Sequence, residues 1–144
     1  MSRPLNKNSM LDDLQRDTFK YFLNEVNPDN GLVADKTKQN WPASIAAVGM
    51  ALTAYPVGVE RGLIKREDAV QRTLTTLRFF WSSPQGMQPN ATGYKGFYYH
   101  FLDMKSGQRA WSCELSTIDT AILVAGMLAA AQYFSSDLAD EKEI

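Results

Sequence analysis

The sequence predicts an all-α fold that forms part of an (α/α)6 toroid, in which inner and outer helices alternate along the chain. Two observations favour this class: four helical segments are expected in 144 residues, and amphipathic segments alternate with segments that are apolar on every face. Inner helices of such a ring are buried all round, whereas outer helices expose one face to water. A plain four-helix bundle is the alternative, but its helices should all be amphipathic.

The first and third helices are expected to be the outer ones. The first covers residues 9–26, with Ser9 as its N-cap and apolar side chains at helical spacing. An Asn-Pro-Asp-Asn-Gly turn follows it. The third covers residues 66–81, where Val70, Leu74, Leu77 and Trp81 form one apolar stripe.

The second and fourth helices are expected to be the inner ones. The second begins near Pro42 or Ala43 and reaches Tyr55, and Pro56 kinks or ends it. The fourth covers residues 116–134, and its middle is apolar throughout. Residues 135–137 end this helix and cap a fifth one.

Residues 83–112 lack helical periodicity and are expected to contain a small β-hairpin insertion near residues 96–112. The aromatic-rich stretch 97–102 supplies one strand, residues 105–108 the turn and residues 109–112 the returning strand. A long insertion inside a compact domain is usually functional.

Composition excludes several classes of function. The net charge is −1, so nothing marks a nucleic-acid partner. The single cysteine, Cys113, and the single histidine, His100, make a metal centre improbable, and no cofactor motif is present. No signal peptide is visible at the N-terminus, and the longest apolar run is too short for membrane insertion.

The spacing of the helices predicts an incomplete domain. One helical hairpin takes about 57 residues, so six hairpins would need roughly 340. Residues 1–144 are therefore expected to form the N-terminal portion of a single toroid domain, with two hairpins and the start of a third. Apolar helix faces left exposed would favour self-association.

Two loops that lead into the inner helices hold the candidate functional residues. They combine carboxylates with aromatic rings, the residue types that build sugar-binding sites, because ring faces stack on pyranoses and carboxylates bind hydroxyls or transfer protons. The candidate catalytic residues are Asp103, Glu114 and Asp119. The candidate substrate-binding residues are Asp35, Trp41, Tyr99, His100 and Trp111.

Each candidate also has a structural interpretation. Asp119 lies three residues after Ser116, which fits a helix-capping pair. Glu114 would complement the N-terminus of the following helix, and Asp103 would initiate a turn. His100 fits a half-buried structural histidine, Asp35 an ordinary surface residue, and the two tryptophans fit the core equally well.

Several stretches together resemble the glucoamylase (glycoamylase-like) domain family, which includes bacterial endo-β-1,2-glucanases and a domain of cyclic β-1,2-glucan synthases. The stretches are residues 32–35, 42–49, 52–62, 96–104 and 114–121. The resemblance implies an (α/α)6 toroid, a longer domain, and hydrolysis of a glucan by paired acids with inversion. It also implies that Tyr99, His100, Asp103, Glu114 and Asp119 line the pocket, and that full-length members are periplasmic or extracellular.

Three functional hypotheses follow. The first is a portion of a glycoside hydrolase that acts on a β-glucan, with β-1,2-glucan favoured and the chain inactive alone. The second is a non-catalytic carbohydrate-binding or interaction module that folds by association. The third, another toroid enzyme such as a terpene cyclase, lacks the expected Asp-rich metal motif.

Overall fold

A computed structural model describes residues 7–144, and residues 1–6, where the absence of a signal peptide was expected, lie outside them. The chain is about half helical with small sheets. The helices are α1 (Lys7–Phe19), α2 (Tyr21–Asn24), α3 (Ile45–Glu60), α4 (Arg66–Ser82), α5 (Thr117–Tyr133) and α6 (Ala139–Glu143). The strands are β1 (Ala43–Ser44), β2 (Gly93–Tyr94), β3 (Phe97–Tyr99), β4 (Phe101–Leu102) and β5 (Leu115–Ser116).

Helices α3 and α5 form the centre of the molecule and pack directly on each other. They cross at Gly49 and Gly126, where the two backbones lie too close for a side chain on either residue. Val48 and Leu52 of α3 and Leu123 of α5 are fully buried beside this crossing. The two segments predicted to be inner helices therefore lie at the centre of the core, to which α4, the strands and the loops also contribute.

The outer faces of these two helices correct the expectation of burial all round. Met50 and Val57 of α3 are 54% and 45% exposed, and Ile118 and Leu128 of α5 are 71% and 66% exposed. Within residues 7–144, apolar surface of both helices is therefore left uncovered. A helix that is apolar on every face is expected to be buried on every face, but the pattern does not show which partner would cover each one.

The first predicted helix is broken into α1 and α2. Thr18 donates its hydroxyl to the carbonyl oxygens of Leu14 and Gln15, a back-bonding pattern that bends helices. The helix begins before Ser9, so Ser9 is not its N-cap, and Leu11 and Leu14 are more than half exposed. Of the predicted stripe, Tyr21 and Phe22 pack on the core, together with Phe19, which was not part of that stripe.

Helix α3 starts later and ends later than expected. Ala43 and Ser44 belong to β1, because they pair with β4 rather than continue the helix. Pro56 lies inside the helix and does not end it. Tyr55 and Gly58 are buried on either side of the proline, so packing outweighs the lost backbone hydrogen bond.

Helix α4 confirms the third predicted segment, with one correction. Val70 and Leu74 are buried, whereas Trp81 is 93% exposed and does not belong to the apolar stripe. At the first turn of α4, Arg66 makes a two-pronged ion pair with Glu141 of α6, with distances of 2.7 and 2.8 Å. The carboxylate of Glu141 is nearly fully buried, and the guanidinium lowers its pKa to about 2.

The strands differ from the hairpin predicted at residues 96–112. The hairpin is formed by β2 and β3, and β5 adds to the other side of β3 in a three-stranded antiparallel sheet. β4 pairs with β1, and the predicted returning strand is reduced to a single bridge between Leu102 and Arg109. The turn at residues 105–108 is present, with Asp103 at its start.

Helix α5 confirms the fourth predicted segment and its N-cap. The hydroxyl of Ser116 accepts the backbone N–H of Asp119 at 3.2 Å. Across residues 7–144, the structure contains no helix of the length and apolar character needed to cross a membrane.

Candidate functional site

The short strands bring the two candidate loops together at the N-terminal ends of α3 and α5. Pairing of β1 with β4 places Ser44 opposite Phe101, and pairing of β3 with β5 places Tyr99 opposite Leu115. The backbone of His100 links both sides, because its N–H donates to Glu114 and its carbonyl accepts from Ile45. The loops before the two central helices therefore share one edge of the molecule.

His100 lies between the two carboxylates that follow it in the chain. Its Nδ1 is 2.7 Å from Oε1 of Glu114, and its Nε2 is 3.6 Å from Oδ2 of Asp119. The imidazole is about one-quarter exposed, Glu114 is mostly exposed and Asp119 is largely enclosed. We call these three residues the His100 cluster.

The hydrogen bond from His100 acts on the ionisation of Glu114. It stabilises the charged carboxylate and lowers the pKa of Glu114 below its ordinary value, with help from the backbone N–H of Glu114 itself. Glu114 is therefore ionised at neutral pH and is available to accept hydrogen bonds. Its exposed oxygens can bind hydroxyl groups or water.

Asp119 has the predicted capping role and also a place beside His100. Its Oδ2 accepts the hydroxyl of Ser116 at 2.5 Å, while its backbone N–H donates back to the same hydroxyl. The same oxygen faces His100. Capping therefore fixes the carboxylate in one orientation, and the structural and functional interpretations of Asp119 are compatible.

A row of aromatic rings leads away from the His100 cluster. Phe101 stacks on His100 with 3.9 Å between ring centroids, and Trp111 lies 5.4 Å beyond Phe101. Trp41 then meets Trp111 edge to face at 4.8 Å. Trp111 is 60% exposed, so the row presents ring surface to solvent rather than belonging to the core.

Asp35 fixes the far end of this aromatic row. Its Oδ2 accepts the indole N–H of Trp41 at 3.2 Å. The ammonium groups of Lys36 and Lys38 lie over the Trp41 ring at 4.1 and 4.3 Å from its centroid. Asp35 is thus a surface residue that orients a tryptophan.

A groove runs beside the two tryptophans. Its lining combines aromatic, polar and apolar side chains, including Trp41, Trp111, Asp103 and Met104. Asp103 uses Oδ1 for the turn, where it accepts two backbone N–H groups and the hydroxyl of Ser106. These bonds, that of the Ser106 backbone first, lower the pKa of Asp103, so the turn accounts for this residue.

Tyr99 is buried in the core, next to His100 in the chain. It is 7% exposed, and the guanidinium of Arg109 covers its ring at 4.3 Å. The sequence analysis did not single out Arg109 or Phe101. Phe101 was visible in the aromatic-rich stretch. Arg109 belongs to no recognisable motif, and its contacts with the carbonyl oxygens of Ser112 and Cys113 depend on how the turn folds.

The sequence and the fold are similar to those of proteins that are much longer than this chain. Its homologues and structural neighbours are glucoamylase-like proteins and β-1,2-glucan hydrolases, and it matches only part of each. An exo-β-1,2-glucooligosaccharide sophorohydrolase from Parabacteroides distasonis is 29% identical over 147 residues, covering 98% of this chain and 19% of the relative. No family model matches the chain.

Solved structures agree in fold over almost the whole chain. A glucoamylase-like protein from Bacteroides uniformis superimposes with a TM-score of 0.85 and 27% identity, covering 99% of this chain and 34% of that one. A β-1,2-glucanase from Parabacteroides distasonis gives a TM-score of 0.83 and 27% identity, covering 99% and 20%. The chain thus spans about a fifth of the curated relative and a fifth to a third of these structures.

Proposed function

We propose that this chain is a portion of a glycoside hydrolase that cleaves a β-glucan, with β-1,2-glucan as the favoured substrate. The observation that carries the proposal is the His100 cluster next to the aromatic row, with Glu114 at one end and the Trp41–Trp111 pair at the other. Aromatic faces bind pyranose rings, and carboxylates bind hydroxyls or transfer protons. Two similar proteins, a sophorohydrolase and a glucanase, act on β-1,2-linked glucans, which supports this choice of linkage.

Within an inverting mechanism, one carboxylic acid protonates the leaving oxygen and a carboxylate activates water on the opposite face. Glu114 is held ionised by His100, which suits the accepting role better than the acid role. Asp119 is anchored by Ser116 and is the second candidate. We propose that the other carboxylate of the pair comes from a different hairpin of the complete domain.

We further propose that residues 1–144 are an incomplete N-terminal portion of one (α/α)6 toroid domain. Two findings support this: the structural neighbours are three to five times longer, and α3 and α5 leave apolar surface uncovered. A ring of further helices would bury Met50 and Leu128. On this proposal the chain is inactive by itself.

The test is a titration of the chain with a β-1,2-linked glucotriose, in which tryptophan fluorescence reports binding. Binding should disappear or weaken about tenfold in Trp111→Ala, because a stacked ring contributes about 0.5–1.5 kcal/mol. Trp81→Ala, on the outer surface of α4, is the matched control and should bind normally. A β-1,4-linked glucotriose tests the linkage.

Three outcomes would count against the proposal. Equal binding of both trisaccharides contradicts the preference for β-1,2-glucan. Unchanged binding in Trp111→Ala contradicts the site. Release of reducing sugar by residues 1–144 alone would show that the catalytic pair is already present and would overturn the proposed incompleteness.

A further inference from the structure

We propose that Arg109 is the positioning residue of this site: its guanidinium holds the turn at residues 111–113, and thereby fixes the Trp41–Trp111 pair as a rigid wall of the groove. Arg109 itself does not touch the groove in this role. The link to saccharide binding rests on the proposed function, whereas the link to the geometry of the tryptophans does not.

The side chain of Arg109 is held on three sides. Its Nε donates to the carbonyl oxygen of Cys113 at 2.6 Å, and its Nη2 donates to that of Ser112 at 2.8 Å. Its planar face lies over the ring of Tyr99, which is buried in the core. The guanidinium therefore ties two successive carbonyls of an exposed turn to a fixed point of the fold.

The turn needs this support because its backbone is unfavourable for L-residues. Trp111 and Ser112 have φ angles of 54° and 53°, two consecutive left-handed residues that are not glycine. Such conformations persist only where surrounding contacts determine them, and they are enriched at functional sites. The carbonyls that Arg109 binds belong to the second of these residues and to the one that follows it.

Two further contacts act beside Arg109: one closes the turn around its two left-handed residues, and the other anchors its end. The N–H of Cys113 donates to the carbonyl of Ala110 at 3.0 Å. The Sγ of Cys113 accepts the N–H of Phe101 at 3.2 Å. Ser112 is exposed, and Arg109 is the side chain that reaches its carbonyl.

The left-handed turn directs the Trp111 ring toward Trp41 and Phe101. The ring remains 60% exposed although both neighbours contact it. A large exposed ring that is already fixed loses little freedom when a ligand stacks on it, so binding is stronger than on a mobile ring. Arg109 thus increases ligand affinity by holding the Trp111 side chain in one conformation.

The experiment measures the exciton couplet that two closely spaced indoles give in far-ultraviolet circular dichroism. Lysine cannot donate from two nitrogens in one plane, so Arg109→Lys should lose most of the couplet. Binding of the β-1,2-linked glucotriose should weaken about tenfold, as expected for a lost preorganised ring. Arg61→Lys, at the end of α3, is the control and should change neither signal. Trp41→Phe and Trp111→Phe should each abolish the couplet, and Trp81→Phe should keep it.

A second substitution separates the turn from general loss of structure. Asparagine adopts the left-handed region more readily than serine. Ser112→Asn in the Arg109→Lys background should therefore restore part of the couplet. If Arg109→Lys does not fold, Ser112→Asn alone is measured, and it should keep the couplet and raise the melting temperature.

An unchanged couplet in Arg109→Lys overturns the proposal, as does a couplet missing from the unsubstituted chain. A lost couplet or a lowered melting temperature in Ser112→Asn alone overturns it too. A couplet that responds as expected, in a chain that does not bind the glucotriose, supports the role of Arg109 and contradicts the proposed function instead.

Discussion

Gly49 and Gly126 meet backbone to backbone where α3 crosses α5. A Cβ placed on Gly126 would lie 2.2 Å from the carbonyl oxygen of Gly49, and one placed on Gly49 would lie 2.5 Å from the carbonyl oxygen of Ile122. Real Cβ atoms do not approach backbone so closely. The distance between the two central helices is therefore set by the absence of two side chains.

Gly126→Ala should destabilise the chain by about 3 kcal/mol, because the helices must separate along their whole contact. The free energy of unfolding in urea measures this loss. Gly62→Ala is the control, because a Cβ there meets nothing within 4 Å. Its loss in free energy of unfolding should be about 1 kcal/mol, which comes from the left-handed backbone alone. Equal losses in the two variants would contradict the close crossing.

Removal of His100 should raise the pKa of Glu114 toward its ordinary value. The hydrogen bond to the imidazole is the largest cause of the lowered pKa, and His100→Ala deletes it. Carbon-13 NMR of the carboxyl group, followed through a pH titration, gives the pKa directly. Trp81→Phe is the control and should leave the pKa of Glu114 unchanged. A Glu114 pKa that stays low in His100→Ala would show that the contact does not exist in solution.

The buried pair of Arg66 and Glu141 should make stability depend on acid pH. The pKa of Glu141 is about 2 in the folded chain and near 4.5 when unfolded, so its contribution is complete above pH 4.5 and disappears as the pH falls toward 2. Arg66→Ala should destabilise the chain at neutral pH by at most about 3 kcal/mol, since it leaves the buried carboxylate with the N–H of Ser136 but without its counter-charge. Urea unfolding between pH 2 and pH 7 measures both effects.

The matched control for this pair is Glu143→Gln, which breaks the exposed ion pair with Arg78. Surface pairs contribute little, so its effect should be small at every pH. Glu141→Gln should instead flatten the loss of stability between pH 4.5 and pH 2. A variant that keeps the full acid dependence would assign that dependence to other carboxylates.

The uncovered apolar surface of α3 and α5 should make the isolated chain self-associate. Met50 and Leu128 are more than half exposed, and apolar helix surface left open to water favours association. The double variant Met50→Lys/Leu128→Lys should sediment as a monomer at concentrations where the unsubstituted chain does not. Leu138→Lys is the control, because Leu138 is equally exposed but lies outside these two helices. A monomeric unsubstituted chain would contradict the prediction.

The helices were predictable where the local signal is strong. Helix α5 has a long apolar run and a Ser116 cap, and α4 has a regular stripe, so both were placed almost to the residue. The predictions failed where a contact distant in sequence overrides the local pattern. Ala43 and Ser44, for example, look helical but pair with β4. The break between α1 and α2 was missed for a different, local reason, the hydrogen bonds of the Thr18 hydroxyl to the carbonyl oxygens of Leu14 and Gln15.

The candidate site was predicted by residue type but not by arrangement. Carboxylates and aromatic rings before two apolar helices indicated two loops, and the structure brings these loops together. That His100 lies between Glu114 and Asp119 depends on the register of β3 with β5, which no local pattern reveals. The burial of Tyr99 was not predicted, because alternation in a strand of three residues does not show which side faces the core.

The strands around the site are only two or three residues long, yet they join distant parts of the chain: Ala43 pairs with Leu102, and Tyr98 with Ser116. Each closes a large loop for very few hydrogen bonds, so none can form before the helices have docked. The surroundings of His100 are therefore completed last in folding and open first in the native state. A saccharide held there would slow that opening, so protection of the strand amides from hydrogen exchange would report its presence.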